Sequence, residues 1–157
     1  MKSDKDHGDP YRLGENVGYL LSRARLRLVK VVDLALAEHG ITSAQAGIIM
    51  LLANGRCGTA AELARELYAD SASMTRMLDR LEKRALLTRM PHTRDRRVMQ
   101  LALTAEGRKL ARRLPANYRA VIDAHFAGFS ATELATLKRL LLKSLGDEAA
   151  ALLQEQK

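Results

Sequence analysis

Apolar positions recur along this chain at two different spacings, and the change from one to the other marks its most informative stretch. Between Ser71 and Arg84, Met74, Met77, Leu78 and Leu81 fall at the i, i+3, i+4, i+7 spacing of a helix with one buried stripe. The opposite face carries Ser73, Arg76, Arg80 and Lys83, with Asp79 and Glu82 beside them. The pattern then alternates: Leu86–Met90 and Arg97–Leu103 read as two strands, the second with Met99, Leu101 and Leu103 on one side. Pro91-His92-Thr93-Arg94-Asp95-Arg96 forms the turn between them. A slim polar helix followed by a basic-tipped hairpin suits a DNA duplex, the helix filling a major groove and the hairpin reaching a phosphate ridge or the neighbouring minor groove.

Upstream, residues 1–10 are short of apolar groups and read as a disordered tail. A long helix is predicted from about Arg12 to Glu38, with Leu13, Val17, Leu20, Ala24, Leu28, Val31 and Ala35 along a coiled-coil-like seam. Gly40 stands where such a helix stops. Thr42-Ser43-Ala44-Gln45 and Thr59-Ala60-Ala61-Glu62 are capping boxes, each opening a helix, the first to about Ala53 and the second to near Tyr68. Asp70-Ser71 supplies the N-cap of the next helix, so a short helix, a tight turn and a longer polar-faced helix form a helix-turn-helix with a wing behind it. Thr104 caps a helix to about Gly128, kinked at Pro115. Ser130-Ala131-Thr132-Glu133 opens the last, striped by Leu134, Leu137, Leu141 and Leu145.

The fold expected is mainly α with a small β-hairpin wing: a winged helix-turn-helix over 41–104, flanked by dimerisation helices over 11–40 and 105–157. Those flanking helices hold more apolar surface than so small a winged domain can cover. A closed two-fold homodimer is the commonest way to bury it, and would set two recognition helices about one duplex turn apart.

Charge sharpens the picture. Of the formal net charge of +8, residues 71–100 hold eight Lys/Arg against three Asp/Glu, and 101–119 hold five against one. Positive charge confined to one contiguous stretch is the footprint of a polyanionic partner. No apolar run approaches the roughly 18 residues of a membrane span, and no segment resembles a secretory signal. Cys57 is the single cysteine, so no intramolecular disulfide can form. These features point to a cytoplasmic protein. His7, His39, His92 and His125 share no metal-ligand spacing with one another or with Cys57, and neither a phosphate loop nor a nucleophile elbow is present, so neither an enzyme nor a cofactor is expected. His39, near a helix end, is expected to meet terminal carbonyls.

Three stretches together resemble one family. They are Ala61-Glu62-Leu63-Ala64, then Thr75-Arg76-Met77-Leu78-Asp79-Arg80-Leu81-Glu82, then Asp95-Arg96-Arg97 followed by Leu101-Ala102-Leu103-Thr104-Ala105-Glu106-Gly107. In this order they are similar to the MarR family of bacterial transcriptional regulators, over roughly residues 13–146. The resemblance implies a triangular homodimer whose two winged lobes grip a pseudo-palindromic operator. It also implies repression relieved by a small, aromatic or phenolic carboxylate. The chain departs from the family pattern in two places. Ala85 stands where glycine is common; left-handed alanine costs roughly 1 kcal/mol, so a different turn is expected there. Cys57 lies in a loop rather than at the start of the first helix, which argues against peroxide sensing.

The residues expected to meet DNA follow. Ser71, Ser73, Thr75 and Arg76 should lie at base edges and phosphates, with Arg80 and Lys83 on the backbone. The family motif implies that Arg97 enters the minor groove with Asp95 beside it and Asp79 as a partner, while Arg94 and Arg96 meet phosphates. Tyr19 and Arg23, one turn apart on the first helix, could hold an aromatic carboxylate effector; equally, Arg23 could be solvated and Tyr19 packed at the dimer interface. The rival reading is a winged helix that docks an acidic protein. The small outward residues Ser71, Ala72 and Ser73 and the lack of an aromatic anchor on that helix favour DNA.

Overall fold

A computed structural model describes residues 12–91 and 98–149. Its elements run α1 (Val17–Leu36), α2 (Ser43–Ala53), α3 (Ala60–Glu66), α4 (Ser71–Lys83), β1 (Leu87–Pro91), β2 (Met99–Leu103), α5 (Ala105–His125) and α6 (Ala131–Leu145). The mainly helical architecture with one hairpin is the one the periodicity predicts. The chain divides after Tyr118 into two compact units. No helix among the described residues is long and apolar enough to cross a membrane.

Local chemistry sets most of the boundaries. The two N-terminal capping boxes form as written: Thr42 with Gln45 and Thr59 with Glu62, side chain to backbone in both directions. The first long helix is shorter than its seam suggests. Leu13–Glu15 forms only a 3-10 turn, and Asn16 then caps α1, its side-chain oxygen accepting from the Tyr19 amide at 2.8 Å. At the other end a second 3-10 turn, Ala37–His39, closes on Gly40 at φ 62, the left-handed stop that glycine takes without strain. Pro115 lies inside α5 without ending it, and α5 stops at His125 rather than Gly128.

The core belongs to the first unit. Ile48 and Ile49 of α2, Leu63 of α3, Met74, Leu78 and Leu81 of α4, Leu87 of β1 and Leu114 of α5 are all buried. The strands pair antiparallel with Leu87 opposite Leu103 and Pro91 opposite Met99. An isolated bridge from Thr59 to Gln100, with the Leu101 amide donating to the Gly58 carbonyl at 2.7 Å, ties β2 to the start of α3. Gly107 lets α5 begin hard against the hairpin, since a Cβ there would overlap the Leu86 carbonyl oxygen. In the second unit α6 opens on the Ser130–Glu133 capping box and buries none of its residues.

Candidate nucleic-acid interface

Helix α4 is held from both ends. At its start Asp70 accepts from the Ser73 amide at 2.8 Å, and hydrogen bonds from the Ser73 side chain and backbone keep that carboxyl below its ordinary range. At its end Ala85 takes the left-handed conformation, φ 52. The expected departure at this turn therefore does not occur, and alanine adopts the geometry that glycine would. Three hydrogen bonds hold it there: the Ala85 amide to the Glu82 carbonyl, the Leu86 amide to the Leu81 carbonyl, and the Thr104 hydroxyl to the Ala85 carbonyl at 2.6 Å. Residues that over-determine a turn can carry a strain of this size.

With Met74, Leu78 and Leu81 turned inward, Ser71, Thr75, Arg76, Arg80 and Lys83 stand exposed, and Ser73 is half-buried. Thr75 donates its hydroxyl to the Ser71 carbonyl at 2.9 Å, which leaves the oxygen's acceptor capacity outward. Arg76 donates to the Ser73 hydroxyl at 2.8 Å, so two of the expected DNA contacts are joined before any DNA is present. That bond uses one of five guanidinium donors. Among the described residues, Arg76, Arg80 and Lys83 make no salt bridge.

The acids of this helix are occupied by a residue that sequence reasoning missed. Arg89, on β1, reaches back with both ends of its fork, to Asp79 at 2.7 Å and to Glu82 at 2.7 Å. Arg94, Asp95, Arg96 and Arg97 lie outside the described residues, so Asp79's expected partnership with Arg97 involves a position not described. A second missed residue is Arg84, which donates to the His39 carbonyl at 2.7 Å and to the Gly40 carbonyl. It does what had been expected of His39. The His39 ring instead meets Asn117 of α5 and Glu38, because the terminal carbonyls are already taken by Arg84.

Cys57 is buried, and desolvation followed by the nearby Glu66 and Glu62 carboxylates pushes its thiol up. A thiol held protonated in this way is a poor nucleophile. No group of three His, Cys, Asp or Glu that could hold a metal occurs among the described residues.

A cavity of about 530 Å³ opens between α2, β2 and α5, lined by Met50, Ala53, Leu101, Leu103, Arg108 and Arg112 among others. Tyr19 and Arg23 are not part of it. Both are exposed on α1.

The MarR family model matches residues 41–99, which covers α2 through the start of β2. The HTH-type transcriptional repressor Rv2887 of Mycobacterium tuberculosis is 32% identical over 127 residues, covering 81% of this chain and 91% of the relative. The chain belongs to the MarR family. It is therefore a DNA-binding transcriptional regulator with a winged helix-turn-helix, not an enzyme. Two solved structures extend the likeness. A mutant E. coli MarR complexed with operator DNA is 27% identical, with a TM-score of 0.78 over 88% of this chain and 99% of its own. Bordetella bronchiseptica BpsR, whose DNA binding is regulated by 6-hydroxynicotinic acid, is 25% identical, with a TM-score of 0.76 and the same coverage.

Proposed function

We propose that the chain is a homodimeric repressor that grips a pseudo-palindromic operator through α4 and the wing. A small aromatic or phenolic carboxylate releases it. One observation carries the reading: α4 presents Arg76, Arg80 and Lys83 without salt bridges among the described residues, while its own acids are drawn to Arg89. Ser71, Ser73, Thr75 and Arg76 then meet base edges and phosphates, and Arg80 and Lys83 the backbone. Arg94 and Arg96 meet phosphates, and Arg97 enters the minor groove with Asp95 beside it, Asp79 being drawn to Arg89 instead. Residues 41–104 form the reading part and the flanking segments pair with a second copy.

Dimerisation is supported by what the single chain leaves bare. On α1 and the turn before it, Leu13, Val17, Leu20 and Leu21 are exposed, and on α6 so are Leu134, Leu140, Leu141 and Leu145. Faces of this kind are ordinarily covered by a second subunit.

Tyr19 and Arg23 offer a ring wall and a cationic fork for the effector. The cavity beside α5 favours a second reading, since Arg108 and Arg112 stand against the apolar walls of Met50, Leu101 and Leu103. Arg108 spends one donor on the Leu103 carbonyl at 2.6 Å, which holds its fork in place.

The experiment is to select bound duplexes from a random pool and test their symmetry. Arg76→Ala should then weaken binding by roughly 1–3 kcal/mol if it reads a guanine. Wild-type affinity of that variant for selected and scrambled duplexes would remove α4 from the interface. Small aromatic acids titrated against the complex of wild type, Arg23→Ala and Arg112→Ala identify the effector anchor as the variant that resists release.

A further inference from the structure

We propose that Arg89 is a positioning residue for DNA binding, which acts by holding Asp79 and Glu82 away from the cations of the recognition helix. The inference rests on the reading of α4 as the DNA-facing helix. Asp79 follows Arg76 by three residues and precedes Lys83 by four, the two spacings at which helical side chains meet. Glu82, three residues after Asp79, adds a second negative charge on the same face. Left alone, Asp79 would pair with Arg76 or Lys83, and each such pair would remove a cation from a phosphate or a base edge. Both carboxylates are instead turned onto one guanidinium that comes from β1 and is mostly buried, its side chain 26% exposed. A planar fork can engage two carboxylates at once, one per terminal nitrogen, where a lysine could serve only as a single point charge. The clip also joins β1 to α4, but its electrostatic effect is separable from that mechanical one.

Three variants separate them, with binding measured to the duplex that the wild-type protein selects from a random pool, across a range of salt concentrations. Arg89→Met should bind about ten-fold or more weakly, with a salt slope lowered by about one for each phosphate contact replaced by an internal pair. Adding Asp79→Asn and Glu82→Gln to that variant should restore affinity to within about three-fold of wild type, although the clip is absent. The pair Asp79→Asn/Glu82→Gln with Arg89 intact should bind as well as wild type or several-fold better at low salt. This last variant keeps the proposal open to refutation should Arg89→Met fail to fold. If the carboxylate pair binds more weakly than wild type, or the triple variant stays as weak as Arg89→Met, Arg89 is only a mechanical brace and the proposal is overturned. Wild-type binding by Arg89→Met overturns it as well. Arg80→Ala serves as the control. If Arg80→Ala and Arg76→Ala also bind normally, the reading of α4 itself has failed; if they weaken while the Arg89 series does not, only this inference has.

Discussion

Helices α4 and α6 are close in length, thirteen and fifteen residues, and each begins on a side-chain cap and carries an apolar stripe. Their fates differ. In α4, Met74, Leu78 and Leu81 are sealed inside the winged lobe, whereas α6 buries nothing and leaves Leu140, Leu141 and Leu145 exposed. Periodicity specifies which face must be covered. It does not say what covers it. For α4 the cover is local, supplied by neighbouring elements of the same lobe. For α6 the chain supplies no such cover; if a second copy supplies it, as proposed, the stability of that region depends on concentration.

The sharpest test is one substitution made in each helix. Leu78→Ala should lower unfolding stability by roughly 2–5 kcal/mol, read from the denaturant midpoint at any protein concentration. Leu141→Ala should change little at dilutions where the protein is monomeric and should weaken self-association in sedimentation equilibrium. If both cost the same in dilute solution, the contrast between the two helices is lost. Gly107→Ala forces a methyl onto the Leu86 carbonyl and should cost the winged lobe about 1–3 kcal/mol or more, read from its melting temperature. Ala85→Gly should act oppositely, stabilising the lobe by about 1 kcal/mol because φ 52 is free of strain for glycine.

The smallest effect is in the acid limb. Hydrogen bonds from Gly58 and Thr59 hold Glu62 below its ordinary 4.5, and those from Ser130 hold Glu133 below the same value. A lowered folded pKa means the contribution is complete above about 4.5 and is lost as pH falls through the folded value. Glu62→Gln should therefore flatten the pH dependence of the winged lobe as pH falls below about 4.5, and Glu133→Gln that of α6. Thermal melts followed by circular dichroism across that range would show it. An unchanged acid limb in Glu62→Gln would mean that its cap contributes no pH-dependent stability.

What the sequence revealed depended on how far apart the interacting residues lie along the chain. The capping boxes at Thr42, Thr59 and Ser130 span four residues each and were legible outright, as were the stripe of α4 and the inward Leu101 and Leu103 of β2, although Met99, expected on the same side, is exposed. The grip of Arg89 on Asp79 and Glu82 was not. It bridges seven and ten residues across a turn whose closure hinges on Ala85, and the strain expected there pointed to a different turn. One of the three hydrogen bonds that hold alanine in the left-handed geometry comes from Thr104, nineteen residues on. The bonds from Arg84 to the end of α1 and from Asn117 to His39 span 45 and 78 residues, and no local pattern announces them. Tyr19 and Arg23 were chosen for their spacing on one helix. The cavity gathers its walls from three elements instead.

The bond from Arg84 also makes a lever of the recognition helix. Its guanidinium ends α4 on the carbonyls of His39 and Gly40, where the path of α1 stops. Were this contact to act as a hinge, it would fix one end of a rod of thirteen residues, about 20 Å long at 1.5 Å per residue. A tilt of about 10° at that hinge displaces the far end, where Ser71 begins the helix, by about 3.5 Å, close to the step between successive bases on a DNA strand. If that end enters the groove as proposed, a rotation of this size at the end of α1 would change the register of α4 on the duplex.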